Sequence, residues 1–309
     1  MTHIPCRRTA HPRPALLAIA LILALAGAAG TAACGGTAGG ATGSAPTAAG
    51  SAGESSMPAS PPASDVASPS AAATTAVRAY FLRGEKLGVA ERQVPSTTAV
   101  ADAALTALCS GPADTEQAAG LSSAVPAGTK LLGVSIRDGV ATVDLSGDFA
   151  AGGGSASMQA RVAQVVYTAT QFSGVTAVDL RMDGKPLTTL GGEGLMIAPG
   201  QRRADWRDFE PAIFVERPGV GAVLSSPFVL AGTALVFEGS FLARLVDDSG
   251  RRVVSVPVQA SSGGPERGDF REVIPYSTSA ASGTLIVYDQ SMEDGSRQDE
   301  VSIPVTFAP

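Results

Sequence analysis

The stretch KLLGVSIRDGVATVDL, Lys130–Leu145, decides how the first folded part of this chain is read. Apolar and polar residues alternate on both sides of Asp138-Gly139. Asp-Gly between two alternating runs is the strongest short-range signal for a β-hairpin, because both turn positions need a positive φ. A little further on, Gly152-Gly-Gly-Ser-Ala-Ser leads into a helical pattern. Met158, Val162, Val165, Val166, Ala169 and Phe172 form one apolar stripe, with Gln159, Arg161, Gln164, Thr168 and Gln171 opposite. That spacing predicts an amphipathic helix whose polar face looks into water. Working outward, Val77-Arg-Ala-Tyr-Phe-Leu82 reads as a strand. A helix follows from Thr98, as N-cap, to Leu108, and Gly111-Pro112 stops it. Val175–Met182 reads as a strand turning at Asp183-Gly184, and Leu187–Leu190 closes the module. The order strand, helix, hairpin, helix, strand gives an α+β module over residues 77–190.

From Ile213 the pattern changes to strands alone. Ile213–Val215, Phe228–Ala231, Ala234–Phe237, Ala243–Val246, Val253–Val258, Glu272–Pro275, Thr284–Tyr288 and Val301–Phe307 are separated by Gly, Pro, Asp and Ser clusters. Short strands at this spacing predict an all-β, immunoglobulin-like sandwich over residues 212–309. Residues 191–211 then form an interdomain linker. It holds Trp206, the only tryptophan, together with Phe209. The pair can pack between the modules and fix their angle, or serve as an anchor for a partner.

The start of the chain reads differently. Arg7, Arg8 and Arg13 precede an apolar run, Ala15–Gly30, then Thr31, Ala32, Ala33 and Cys34. The run is shorter than the roughly 20 residues of a bilayer span. A charged start, a short apolar stretch and small residues before a cut describe a secretory signal peptide. Cys34 just after the cut makes residues 1–33 look like a bacterial lipoprotein signal, although Thr31 stands where the usual box has Leu. Lipidation of Cys34 with two acyl chains would anchor the chain to the outer face of the cell membrane. Residues 34–76 are Ala, Gly, Ser, Thr and Pro with few large apolar side chains, the composition of a disordered tether. Its r.m.s. span would be roughly 35 Å.

Composition narrows the chemistry. Without residues 1–33 the chain keeps 19 basic and 28 acidic side chains, a net charge of −9. That balance, with no basic stripe, argues against nucleic acid as a partner. Both histidines, His3 and His11, fall in the signal region. Serine–histidine and cysteine–histidine catalysis and histidine-based zinc sites are therefore not expected. None of Lys86, Lys130 and Lys185 stands in a Ser-x-x-Lys motif. We expect no catalytic, cofactor-binding or metal-binding residues.

Asp144 and Asp148 are the best carboxylates for a wall glycosidase, but an alternating strand and a turn explain them. Glu193 reads as a loop residue. Gly152–Gly154 could present N–H groups to an anion; Ser155 or Ser157 as N-cap is the simpler reading. Gly219-Val-Gly221 lacks the third glycine of a dinucleotide fingerprint. Asp294–Glu300 reads as a solvated hairpin, and Cys109 as a small buried hydrophobe.

Several motifs together resemble a known family. Gly120-Leu-Ser-Ser-Ala-Val-Pro-Ala-Gly-Thr, Asp138-Gly-Val-Ala-Thr-Val-Asp-Leu-Ser, Gln164-Val-Val-Tyr-Thr, Asp183-Gly184-Lys185-Pro186 and Arg203-Ala-Asp-Trp resemble the sporulation and germination GerMN domain. Pro218-Gly219, Ser226-Pro227, Gly232-Thr233-Ala234, Phe237-Glu238, Gly283-Thr-Leu-Ile-Val-Tyr, Ser291 to Gly295 and Val301-Ser-Ile-Pro-Val resemble the immunoglobulin-like domain of bacterial spore germination that often follows it. The resemblance implies a non-catalytic, extracytoplasmic envelope protein. The expected role is a scaffold or adaptor for envelope proteins or peptidoglycan, docking through exposed sandwich edges or the helix face of the α+β module. A peptidoglycan- or glycan-binding module is the alternative, and a carboxylate-dependent wall hydrolase a more distant one. Cys34→Ala should release the chain into the medium or strand its precursor, read by fractionation and blotting. A mature, membrane-bound variant would contradict lipidation at Cys34.

Overall fold

A hairpin opens the folded part. β1 (Thr74–Arg83) and β2 (Lys86–Pro95) pair antiparallel over their whole length, with Gly84 at a φ of 62° in the turn. The computed structural model describes residues 73–192 and 194–308, all within one compact unit, Val66–Pro309. Cys34, the tether through residue 72 and Glu193 lie outside the described residues. β1 starts at Thr74 rather than Val77, and β2 is an addition to the expected order. Gly88 and the run Glu91-Arg92-Gln93 hide its alternation, yet Leu87, Val89 and Ala90 are buried.

α1 (Val100–Cys109) comes next. Its N-cap is Ala99, not Thr98, and the Ala99 N–H donates to the Thr97 hydroxyl at 3.0 Å. Arg92 ties down the other end of α1. Its guanidinium donates to the carbonyls of Ala107 (3.0 Å) and Gly111 (2.7 Å). It also grips Glu116 of the short α2 (Asp114–Ala118) through two bonds, at 2.8 and 2.6 Å. Such charge-assisted, two-point bonds are roughly twice as strong as neutral ones.

β3 (Leu121–Ser122) pairs with the end of β1, giving a sheet in the order β2-β1-β3. β4 (Leu131–Arg137) and β5 (Val140–Leu145) form the expected hairpin, with Asp138 and Gly139 at φ of 50° and 80°. α3 (Ser155–Ala169) then crosses over, so that β6 (Ala177–Met182) runs parallel to β5. Only a crossover of this kind can make a parallel neighbour. β7 (Lys185–Pro186) completes the sheet β4-β5-β6-β7, and β8 (Thr189–Leu190) pairs with β9 (Leu195–Met196).

α3 departs from its expected role in two ways. Gly154 is its N-cap, while Ser155 and Ser157 lie within the first turn. Its polar face is also not in water. Arg161 is 3% exposed, and Gln164 and Thr168 are 0% exposed. Arg161 donates to the carbonyls of Ala124, Phe149 and Gly152, while Gln164 and Thr168, joined by Gln171, seal the edge of β1 that β3 leaves open. Gln171 accepts from the Arg78 N–H (3.0 Å) and donates to the Arg78 carbonyl (2.7 Å). Thr168 accepts from the Tyr80 N–H (3.1 Å), and Gln164 donates to the Tyr80 carbonyl (3.0 Å). Gln164 also accepts from the Ala124 N–H at 2.8 Å. An open strand edge is a template for pairing with other chains; here helix side chains occupy it. The helix face proposed above for docking is spent inside the fold.

The second half is a sandwich. One sheet has the order β10 (Ile213–Arg217), β12 (Phe228–Ala234), β15 (Gly268–Ile274). The other runs β11 (Val223–Leu224), β17 (Arg297–Phe307), β16 (Ser282–Gln290), β13 (Ser240–Asp247), β14 (Arg252–Gln259). Burial alternates along β13 with Phe241, Ala243 and Leu245 inward, as two packed sheets require. Phe241 meets Phe270 of the opposite sheet edge-on, with centroids 5.0 Å apart. Ala234–Phe237 is not a strand of its own. β12 runs through Ala234, and Phe237–Gly239 is a 3-10 turn. Gly232 belongs to β12 because β10 passes very close, and an added Cβ would lie 2.0 Å from the Phe214 carbonyl.

Gln164→Leu strands the Tyr80 carbonyl and the Ala124 N–H without their partners. It should cost about 2 kcal/mol or more, read as a lower urea midpoint with an unchanged slope. No loss of stability would show that water replaces Gln164 at that edge.

Candidate functional site

The polar groups that sequence reasoning did not single out converge where the two halves meet. Tyr80 comes from β1, Tyr167 from α3 and Phe214 from β10. Their rings pack in a triangle with centroids 5.8 to 6.2 Å apart. The 3-10 turn Arg203–Phe209 delivers Arg203 against this cluster. Its guanidinium lies over the rings of Tyr80 (5.3 Å) and Tyr167 (4.7 Å), at cation–π range. The same group donates to both oxygens of Glu216, each at 2.9 Å, and to the Thr170 hydroxyl at 2.8 Å. The Tyr80 hydroxyl donates to Glu216 as well.

A second ion pair sits beside the first. Glu210 accepts from the Tyr167 hydroxyl at 2.5 Å and pairs with Arg267 at 2.9 Å. Arg267 also donates to the Pro211 carbonyl (2.9 Å) and the Thr233 hydroxyl (3.2 Å). Two arginines thus face two carboxylates, with a phenol donating to each carboxylate. A buried charge is tolerated only when paired in this way.

The electrostatics follow from burial. Burial, then the charge of Glu216, pushes the Tyr80 phenol up to about 12, with Arg203 opposing. The Tyr167 phenol is raised further by burial and by its bond to Glu210. Burial works against the charge on Arg203, but Tyr80 and Glu216 outweigh it and hold its pKa above the ordinary value. Both phenols remain neutral donors at physiological pH, and neither is poised as a base.

Backbone contacts complete the joint. Val220 donates to the Val89 carbonyl (2.8 Å), and its own carbonyl accepts from the Glu91 N–H (2.9 Å). The sandwich therefore continues the open edge of β2. Gly219 allows this approach, since a Cβ there would lie 2.9 Å from the Glu91 nitrogen. That is the structural part played by the Gly219-Val-Gly221 stretch. Arg83 donates to the Ser302 carbonyl at 2.8 Å, and Lys86 to that of Asp208 at 2.5 Å. Trp206 and Phe209 are half-buried against the Tyr80, Tyr167 and Phe214 cluster, with ring centroids 6.2 Å apart. The Trp206 indole N–H donates to Gln201 at 2.9 Å.

The other residues singled out from sequence are not brought together. Asp144 accepts from the Gly184 N–H (3.1 Å), and Asp148 from the Ser146 hydroxyl (3.1 Å). Asp294 accepts from the Ser296 N–H (3.0 Å), and bonds of this kind hold its carboxyl down to about 2. Among the described residues, no three His, Cys, Asp or Glu side chains are grouped to hold a metal ion. Cys109 is half-buried, and burial pushes its thiol up to about 11. It lines a wide groove of about 1110 Å³ with Thr106, Ser110, Ser122, Val125 and Lys130.

Tyr80 supplies a direct test of the joint. A phenol whose pKa is higher folded than unfolded contributes stability that is complete below about pH 10 and lost as pH rises through about 12. The loss should be on the order of 3 kcal/mol, and Tyr80→Phe should make the alkaline slope shallower, leaving the share of the Tyr167 phenol. An identical alkaline slope in Tyr80→Phe would contradict the burial of this phenol.

Comparison with known proteins places both halves. Residues 78–188 match the family model of sporulation and spore germination, Germane. Residues 212–296 match that of the immunoglobulin-like domain of bacterial spore germination, Gmad2. No curated protein matches the chain. Among solved structures, the tandem GerMN domains of the sporulation protein GerM from Bacillus subtilis are 21% identical, with a TM-score of 0.39. That match covers 66% of this chain and 62% of that one, so the chain spans less than two thirds of the tandem structure. The first GerMN domain of the same protein is 25% identical, with a TM-score of 0.38, over 43% of this chain and all of that one. On the strength of the two family models, the chain carries a sporulation and spore germination (GerMN) domain followed by the immunoglobulin-like domain of bacterial spore germination.

Proposed function

We propose that this protein is a non-catalytic adaptor of the cell envelope, anchored on the outer face of the membrane through a lipid on Cys34. The observation that carries the reading is the joint. Arg203, Glu216, Tyr80 and Tyr167 are spent on one another, and their bonds tie β1 and α3 to β10. A joint that fixes two domains suits a part whose task is to hold partners at a set distance. The short apolar run before Cys34 and the tether-like composition after it support anchoring. Trp206 and Phe209 keep part of their surface exposed at the joint and are candidates for the rim of a partner contact.

The groove beside Cys109 favours a second reading, a peptidoglycan- or glycan-binding module. Its volume of about 1110 Å³ lies a little above the roughly 300–1,000 Å³ of ligand pockets, and Thr106, Ser110, Ser122 and Ser123 line it. A wall hydrolase has less support, because Asp144 and Asp148 serve turns.

Crosslinking on intact cells followed by mass spectrometry separates these readings. The adaptor predicts protein adducts, whereas wall fragments alone would favour the glycan reading. Recovery of lipid only would overturn both. The purified chain should leave wall turnover unchanged; turnover that Asp144→Asn abolishes would restore the hydrolase.

A further inference from the structure

One end of the sandwich carries two large apolar side chains in water. Phe237 is 66% exposed and Met292 is 86% exposed. They come from separate loops, yet both line one cavity of about 270 Å³ with Leu242 and Pro257. An isolated exposed side chain is ordinary, but a pair converging on a cavity marks a contact surface.

The Phe237 loop is held in place. Glu238 has a φ of 54°, a backbone state that non-glycine residues seldom adopt. Three contacts hold it there. The Gly239 N–H donates to the Val236 carbonyl (3.1 Å), the Gln259 amide donates to the Glu238 carbonyl (2.8 Å), and Gly264 donates to Val236 (3.0 Å). Gly263 packs so tightly on Glu238 that an added Cβ would come within 2.5 Å of its carbonyl carbon. Strain that the surroundings impose in this way gathers at binding sites. Here it fixes a loop that displays a phenylalanine to solvent.

Charge selects the partner. The lining residues include Glu238 and Asp289 and no lysine or arginine, and the Asp289 carboxylate accepts from the Gln290 N–H at 2.7 Å. Glu293 and Asp294 follow Met292 directly. Two arginines stand on the neighbouring sheet face, both against the ring of Tyr288. Arg297 stacks on Tyr288 (4.5 Å) and pairs with Glu300 (3.0 Å), and Arg244 lies over the same ring.

We infer that this end of the sandwich docks a segment of a partner protein that alternates basic and apolar side chains. An apolar side chain enters between Phe237 and Met292, and flanking Lys or Arg residues meet Glu238 and Asp289. The inference rests on the adaptor reading and names one of its contact surfaces.

The test uses fluorescence polarisation of a short labelled peptide of alternating Lys and Leu against the full chain. A Glu–Leu peptide of equal length is the control. The Lys–Leu peptide should bind, and the Glu–Leu peptide should bind at least about tenfold more weakly. Phe237→Ser with Met292→Ser, and separately Glu238→Lys with Asp289→Lys, should each weaken Lys–Leu binding by about tenfold, equal to 1.4 kcal/mol. Unchanged thermal melting would show that both variants fold. Equal binding of the two peptides, no binding, or binding that survives the variants would overturn the proposal. Such a failure removes this surface only, since crosslinking on cells tests the adaptor reading separately.

Discussion

Arg203 sits where a guanidinium is most demanding, between two tyrosine rings and against a carboxylate at the seam of two domains. Removing a charged group from water is costly unless geometry and hydrogen bonds offset it. Here five hydrogen bonds and two ring faces do so, and they come from β1, from α3 and its C-cap Thr170, and from β10. The guanidinium is satisfied only when both halves are folded and docked. That conditional satisfaction couples the domains, and the Glu210–Arg267 pair repeats it a short distance away.

The same logic runs through the α+β half. Gln164, Thr168 and Gln171 seal the edge of β1, and Arg92, held by Glu116, seals the end of α1. Polar side chains here replace a missing strand or cap. Each strand edge or helix end sealed in this way is unavailable to other chains. The surface left open includes the β4 edge with Leu132 and Ile136 and, on the sandwich, Phe237 and Met292.

How much of this was legible depended on how local its cause is. Asp138-Gly139 declared the β4–β5 hairpin because turn chemistry resides in two residues. The alternation of β13 and its neighbours declared a sandwich. β2 was hidden because Gly88 and the polar run Glu91-Arg92-Gln93 break its alternation, and the partner on its outer edge, Val220, lies far along the chain. The polar stripe of α3 pointed to water because a sequence cannot show that a strand edge is waiting for it. The joint was scattered in the same sense, since Tyr80 and Glu216 are 136 residues apart. A hint was present nonetheless. Tyr80 interrupts an apolar strand and Tyr167 lies on the helix, while Arg203, Glu210 and Glu216 crowd one short stretch beside Trp206.

Bonds from both halves to Arg203 make the two domains one mechanical unit. Trp206 is the only tryptophan and lies at the joint, so its fluorescence reports docking while far-UV circular dichroism reports the strands of both halves. A single cooperative unit predicts that the two signals lose structure in one coincident urea transition. If the Trp206 signal changed at lower urea while the circular dichroism persisted, the domains would be docking independently of their folding, and the central claim would be contradicted.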